Sequence, residues 1–190
     1  MSKLIVISSP SGGGKTSIVN ELLKNNPKLK FSISATTRAK RPNEISGREY
    51  FFIAKDEFEN LIEKNELAEY EEIYGNFYGT LKSEIVRSLK DNSPMLFDVD
   101  VKGALSIKKC YPVEAALIFI APPSLEELKN RLKNRNTESD ETIKKRMSRA
   151  EFEIDLGKKF DFTVVNNLLD EAVEEVEKIV KKLIYPKGIH

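Results

Sequence analysis

Apolar residues recur along this chain in dense short runs bounded by turn residues, at Leu4–Ile7, Met95–Val99, Ala115–Ile120 and Phe162–Val165. They lack the alternation of a strand that faces water on one side. They therefore read as strands covered on both faces, as in a parallel sheet. Helical spacing lies between them. Lys15–Lys24 puts Ile18, Val19, Leu22 and Leu23 on one face, and Leu168–Ile184 repeats Val173, Val176, Val180 and Leu183. Strands alternating with helices predict an α/β fold with right-handed crossovers.

Two stretches break this rhythm. Residues 33–81 are aromatic and polar, with Gly75-Asn76 placed as a two-residue hairpin turn between short β-type runs. Within them Asp56 is expected to open a short helix, with Glu59 three residues on and Phe58, Leu61 and Ile62 as its apolar side. Residues 124–157 are charged and helical, with Leu125, Leu128 and Leu132 as the apolar stripe. Glu127 and Arg131 form an i,i+4 pair there, Arg131 and Arg135 lie one turn apart, and Arg146 and Arg149 share a face. The expected division is a core of residues 1–32, 82–123 and 158–190, an inserted binding subdomain at 33–81 and a mobile lid at 124–157.

Composition narrows the classes. A chain of 190 residues suits one α/β domain with inserted subdomains. The 31 Lys+Arg against 30 Asp+Glu argue against general nucleic-acid or membrane binding. Leu4–Ile7 is too short to span a membrane, and no cleavage region accompanies it. The single cysteine, Cys110, precludes an intrachain disulfide and fits a reducing, cytoplasmic setting. The single histidine is His190, so a Cys–His catalytic pair is disfavoured and Cys110 is expected to pack near a helix end.

The first strand runs into Ser8-Ser9-Pro10-Ser11-Gly12-Gly13-Gly14-Lys15-Thr16 and then a helix. This is the strand–loop–helix setting of a phosphate-binding loop. Glycines let backbone N–H groups turn inward around an anion, and the helix N-terminus adds the positive end of its dipole. Lys15 reaches the outer phosphates, and the Thr16 hydroxyl is a ligand for Mg²⁺. Ser9 stands where the common pattern has glycine, so the loop departs from it at one position. The motif implies a nucleoside triphosphate and leaves the reaction open.

Two further strings are more specific. Ser34-Ala35-Thr36-Thr37-Arg38-Ala39-Lys40-Arg41-Pro42-Asn43-Glu44 carries two arginines three residues apart. Downstream come Tyr50, Glu69 and Gly75-Asn76-Phe77-Tyr78-Gly79-Thr80. With these strings the chain resembles guanylate kinases over nearly its whole length. The resemblance implies a P-loop NTPase core and transfer of the γ-phosphoryl group of ATP to GMP with Mg²⁺. The expected partners are ATP and GMP, with dGMP an open alternative, in a monomer or homodimer.

The resemblance also implies roles. Arg38 and Arg41 would grip the monophosphate, with Tyr50 and Tyr78 as hydroxyl donors and Glu44 in the same GMP site, against the alternative that it only supports the loop; guanidinium forks suit phosphate oxygens. Glu69 would accept from the guanine N1–H and N2–H₂ donors, with Ser34 and Thr80 near the base. Unpaired buried polar groups would then reject adenine. Met95–Val101 reads as a strand ending in Asp98 and Asp100 on one side. Asp98 suits Mg²⁺ held through water. Resemblance assigns Asp100 to the monophosphate side, touching guanine or positioning an arginine, against the alternative of a helix N-cap. It has Arg135 and Arg146 close over the triphosphate, with Arg131 and Arg149 as weaker candidates, and sets Val164–Asn167 near adenine. Catalytic charge neutralisation would fall to Lys15, Arg38, Arg135 and Arg146. A non-catalytic interaction module of the same fold and a kinase for another monophosphate are the rival readings.

Overall fold

The computed structural model describes residues 3–133 and 140–185. Its elements in chain order are β1 (Leu4–Ser8), α1 (Lys15–Asn25), β2 (Lys30–Phe31), β3 (Ser34–Thr36), β4 (Tyr50–Phe52), α2 (Lys55–Glu63), β5 (Leu67–Ile73) and β6 (Asn76–Leu81). Then follow α3 (Lys82–Lys90), β7 (Met95–Asp98), α4 (Val101–Cys110), β8 (Ala115–Ala121), α5 (Leu125–Lys133), α6 (Asp140–Gly157), β9 (Phe162–Val165) and α7 (Leu169–Ile184). The main sheet runs in the order β2-β7-β1-β8-β9 and every pairing in it is parallel.

The dense apolar runs have the expected cause. Successive side chains of β1 go to opposite faces: Ile5 and Ile7 pack with Ile18, Leu22 and Val176 of α1 and α7. Leu4 and Val6 pack with Ile85 of α3 and Val101 and Ile107 of α4. All five β1 residues are buried, which is why four of the five are apolar; the fifth, Ser8, buries a hydroxyl that meets no partner among the described residues.

A second, four-stranded sheet is built from residues 34–81, in the order β4-β3-β6-β5. Its β5–β6 hairpin turns on Tyr74-Gly75, one residue earlier than Gly75-Asn76. Ile73 pairs with Asn76, and Tyr74 and Gly75 both have positive φ, 52° and 78°. That is the conformation a two-residue turn needs to match strand twist. The helix within this region starts at Lys55 rather than Asp56. Ala54 is the N-cap residue, and its backbone N–H donates to Glu57 Oε2 at 2.9 Å.

Three further expectations shift. The strand carrying the two aspartates ends at Asp98, so strand alternation does not relate it to Asp100, which caps α4 instead. Cys110 ends α4 as expected, but it is exposed. In α5, Leu128 and Leu132 are buried while Leu125 is 42 % exposed. No helix among the described residues is long and apolar enough to cross a membrane.

Candidate active site

The glycine-rich loop joins β1 to α1, and α1 begins at Lys15 with no side-chain cap. Gly14 precedes it in the left-handed region, φ 87°, so the first helical N–H groups stay available to an anion. Gly13 N–H donates to Pro10 O at 2.9 Å and closes the loop on itself. The buried Asn166, just past β9, donates from Nδ2 to Gly13 O at 2.9 Å. A Cβ on Gly14 would lie 2.2 Å from that Nδ2. At the position where the pattern departs, Ser9 turns its hydroxyl to Pro10 O at 3.1 Å. The loop walls a cavity of about 270 Å³ that Arg146, Arg149, Glu153 and Asp100 also line.

Lys15 Nζ donates to Val99 O at 2.9 Å and is ion-paired with Asp98. Arg146 donates from Nε and Nη2 to Ser11 Oγ, at 3.2 and 2.5 Å. Among the described residues Arg131 meets the loop only through Asn166, the residue that bonds Gly13 O. Its Nε donates to Glu127 at 3.0 Å and its Nη2 to Asn166 O at 3.1 Å. Arg135 lies outside the described residues.

The Thr36-Thr37-Arg38 string is pinned to β6. Thr36 Oγ1 donates to Phe77 O at 2.8 Å, and Phe77 N–H donates to Thr37 Oγ1 at 2.9 Å. Arg38 then makes a two-pronged pair with Glu44, Nη1 to Oε2 at 3.0 Å and Nη2 to Oε1 at 2.7 Å. Glu44 Oε2 also accepts from Arg41 N–H at 2.8 Å, so one carboxylate sets both arginine positions. The Arg38 hydrogen bond holds the Glu44 carboxyl below the usual range. The guanidinium of Arg38 lies 5.5 Å from the centre of the Tyr50 ring, and Tyr50 and Tyr78 meet edge-on at 6.0 Å. Burial first, then the charge of Asp98, pushes the Tyr50 hydroxyl well above its ordinary pKa, so it stays a donor. These residues wall a cavity of about 640 Å³ with Ser34, Thr16 and Asp98; Arg41 reaches it from an exposed position.

At the far end, Glu69 Oε1 accepts from the buried Thr80 hydroxyl at 2.5 Å. Burial pushes the Glu69 carboxyl up, and the Thr80 hydrogen bonds oppose the shift. Asp100 accepts from Lys102 N–H and Gly103 N–H, both at 3.1 Å, which is the N-cap of α4. Its carboxyl is pushed up to about 7 by burial, by a hydrogen bond with Glu71, and by the charges of Glu71 and Glu69. Burial pushes Glu71 up too, but Asp100, Arg149 and Lys102 outweigh it and hold Glu71 below the ordinary range. A third cavity, about 140 Å³, is lined by Lys15, Ser34, Tyr78, Glu69, Asp98 and Asp100 among others.

Residues to which the sequence reading gave no individual site role also belong here. Gly103 backs onto Glu69, Glu71 joins β5 to α4 and α6, Glu153 reaches the phosphate loop, and Asn166 buttresses it. A glycine inside a helical pattern costs about 1 kcal/mol against alanine, so Gly103 was a signal of close packing. Glu153 lies i+4 from Arg149, a spacing that pairs with it.

Among the described residues no cluster of three or more His, Cys, Asp or Glu could hold a metal by itself. Thr16 and Asp98 share a cavity wall, one hydroxyl and one carboxylate. That donor set fits a Mg²⁺ carried chiefly by phosphate oxygens.

A family model described as guanylate kinase matches residues 1–183. A guanylate kinase of Porphyromonas gingivalis is 51 % identical over 97 % of this chain and 99 % of its own length. One of Salinibacter ruber is 44 % identical over 95 % and 96 %. The crystal structure of guanylate kinase from Anaplasma phagocytophilum superposes with a TM-score of 0.80 at 30 % identity, covering 97 % of this chain and 87 % of that one. A shikimate kinase structure from Bacteroides thetaiotaomicron, 12 % identical with a TM-score of 0.50, shares the fold alone. With a family model spanning nearly all of it and relatives matched end to end, the chain belongs to the guanylate kinase family, enzymes on a P-loop α/β fold.

Proposed function

We propose that this enzyme transfers the γ-phosphoryl group of ATP to GMP, giving ADP and GDP, with Mg²⁺, through the residues described above. Arg38 and Arg41 bind the GMP phosphate with Tyr50 and Tyr78, and Glu44 fixes the two arginines. Ser34, Glu69, Thr80 and Asp100 read guanine. The loop from Ser9 to Thr16 holds the ATP phosphates, with Arg131, Arg135 and Arg146 over them. Residues 33–81 act as the GMP-binding insertion, 124–157 as the lid, and the rest as the core. A cytoplasmic monomer or homodimer suits this role.

The acceptor is a phosphate oxygen already ionised at neutral pH, so no strong general base is needed. The chemistry lies in positioning and in neutralising the charge that gathers on the transferring group. Lys15, Arg38, Arg135 and Arg146 supply fixed cations for it. Thr16, and Asp98 through water, would hold Mg²⁺, whose charge screens the phosphate oxygens as they approach. Lid closure would keep water from accepting the phosphoryl group.

The observation that carries this reading is the small cavity that Lys15 lines together with Ser34, Tyr50, Tyr78, Glu69 and Asp100. It supports an acceptor site that opens directly onto the lysine of the donor's phosphate loop. The test is coupled ADP release with Mg²⁺ and ATP, offering GMP, dGMP, AMP, UMP and CMP in parallel. Turnover confined to the guanine nucleotides is expected. Turnover with another base would sink the assigned base site, and none at all in folded protein would favour an interaction module.

A further inference from the structure

Glu153 is an acid in a place suited to phosphate. It lines the phosphate-loop cavity, and its Oε2 accepts from the backbone N–H of Ser11 at 3.3 Å. Its side chain is only 7 % exposed. A carboxylate that far from water needs partners, and removing one leaves an uncompensated charge. Its other partner is Arg149, whose Nε donates to Glu153 Oε1 at 2.7 Å.

Arg149 also faces the other way. Its Nη2 donates to Glu71 Oε2 at 3.0 Å and stands 3.7 Å from Asp100 Oδ2. Glu71 in turn pairs with Lys102 at 3.2 Å. One guanidinium thus links a phosphate-loop amide, through Glu153, to the carboxylates beside Glu69. The link joins the loop after β1, helix α6, strand β5 and the N-terminus of α4.

We propose that Glu153 is a positioning residue that competes with nucleotide phosphate for the Ser11 amide, and that Arg149 carries its displacement to Glu71 and Asp100, coupling the two substrate sites. This rests on the functional reading above. A phosphate arriving at the loop repels Glu153 and takes the Ser11 N–H. Arg149 then turns its charge wholly toward Glu71 and Asp100. Glu71 and Asp100, the two carboxylates that face Arg149, are then held more firmly beside Glu69, so GMP binds more tightly once the ATP site is filled. By linkage the reverse holds by the same factor.

The test is calorimetric binding of Mg²⁺·ADP and of GMP, alone and together, to the full chain. ADP carries no γ-phosphoryl group, so the pair binds without turnover. In the wild type, GMP is expected to bind about fivefold or more tightly with Mg²⁺·ADP present. Glu153→Gln keeps the shape and removes the charge, so it should tighten Mg²⁺·ADP alone by roughly threefold or more. Arg149→Lys keeps the charge but lacks the fork that spans Glu153 and Glu71. It should bring the GMP ratio to within about twofold of unity while Mg²⁺·ADP alone still binds. In steady state this appears as a raised KM for GMP at saturating ATP only. Glu71→Gln cuts the same link from the other side, should Arg149→Lys fail to fold. Unchanged or weaker Mg²⁺·ADP binding by Glu153→Gln, or an undiminished ratio in both link variants, would overturn the proposal while leaving the kinase reading intact. Failure of the wild type to bind either nucleotide would overturn both.

Discussion

Gly103 offers a test that separates stability from recognition. It lies in the first turn of α4 with an ordinary helical φ, so replacing it by alanine should favour the helix by about 1 kcal/mol. The added Cβ, however, would stand 2.5 Å from Glu69 Oε2 and 2.9 Å from Asp100 Oδ1. Ordinary contact begins near 3.4 Å, so the Glu69 oxygen must retreat by roughly 0.9 Å. That oxygen belongs to a flexible side-chain end, so the fold can yield there at little cost. The base site cannot, because Glu69 is held at 2.5 Å by Thr80. A hydrogen bond to a charged acceptor is worth about 1.5–3 kcal/mol, which is about tenfold to a hundredfold in affinity. Gly103→Ala should therefore raise the KM for GMP by at least about tenfold. The KM for ATP should stay unchanged and thermal stability within about 1 kcal/mol of wild type. Steady-state kinetics with each substrate varied, and a thermal melt, measure all three. A KM for GMP within twofold of wild type would refute the argument, since Glu69 would then be neither confined nor needed as acceptor. A large loss of melting temperature would refute its other half, showing that backbone gives way instead.

Three other outcomes follow from the same geometry. Gly14→Ala forces a left-handed residue and sets a methyl 2.2 Å from Asn166 Nδ2. It should destabilise by about 1–3 kcal/mol in denaturant titration and raise the KM for ATP. Glu44→Gln leaves Arg38 and Arg41 with a weaker, uncharged support, and the KM for GMP should rise about tenfold with that for ATP unmoved. The Asp100 carboxyl titrates near 7, so it is protonated below that value and an anionic acceptor above it. GMP affinity should accordingly rise about tenfold between pH 6 and pH 8, a step absent from Asp100→Asn, in which only the ligand's own phosphate titrates. The same raised value has a stability consequence of fixed sign. Between about 4 and about 7 the native carboxyl keeps a proton that the unfolded chain has released, so stability falls as pH rises through that window.

The elements and chemistry that depend on neighbours in sequence were legible in the chain itself. The unbroken burial of Leu4–Ser8 follows from an apolar run without alternation. The phosphate loop follows from glycines between that run and an amphipathic helix. The arginine pair and its carboxylate lie within a few residues, so Arg38, Arg41 and Glu44 could be grouped before any coordinates. The hairpin was legible to within one residue. Glycine and asparagine both suit positive φ, and only the pairing of Ile73 with Asn76 decides that the turn is Tyr74-Gly75. Strand β2 is two residues long and carries no periodicity to read.

Tertiary structure decided what distant residues do to one another. Asn166 buttresses Gly13 across 153 positions, and Glu153 reaches Ser11 across 142. Both contacts exist because the parallel order β2-β7-β1-β8-β9 gathers the carboxyl ends of β1 and β9 beside α6. Glu71 looks like a solvated charge in sequence, and neither Asp100 nor Arg149 shows its partner there, because hydropathy does not record one. Folding buries them together, and the resulting electrostatics set where the proton sits. Sequence thus determines which residue types are present and which local conformations they favour. Burial and pairing, which exist only once the sheets are assembled, determine which of those charges act.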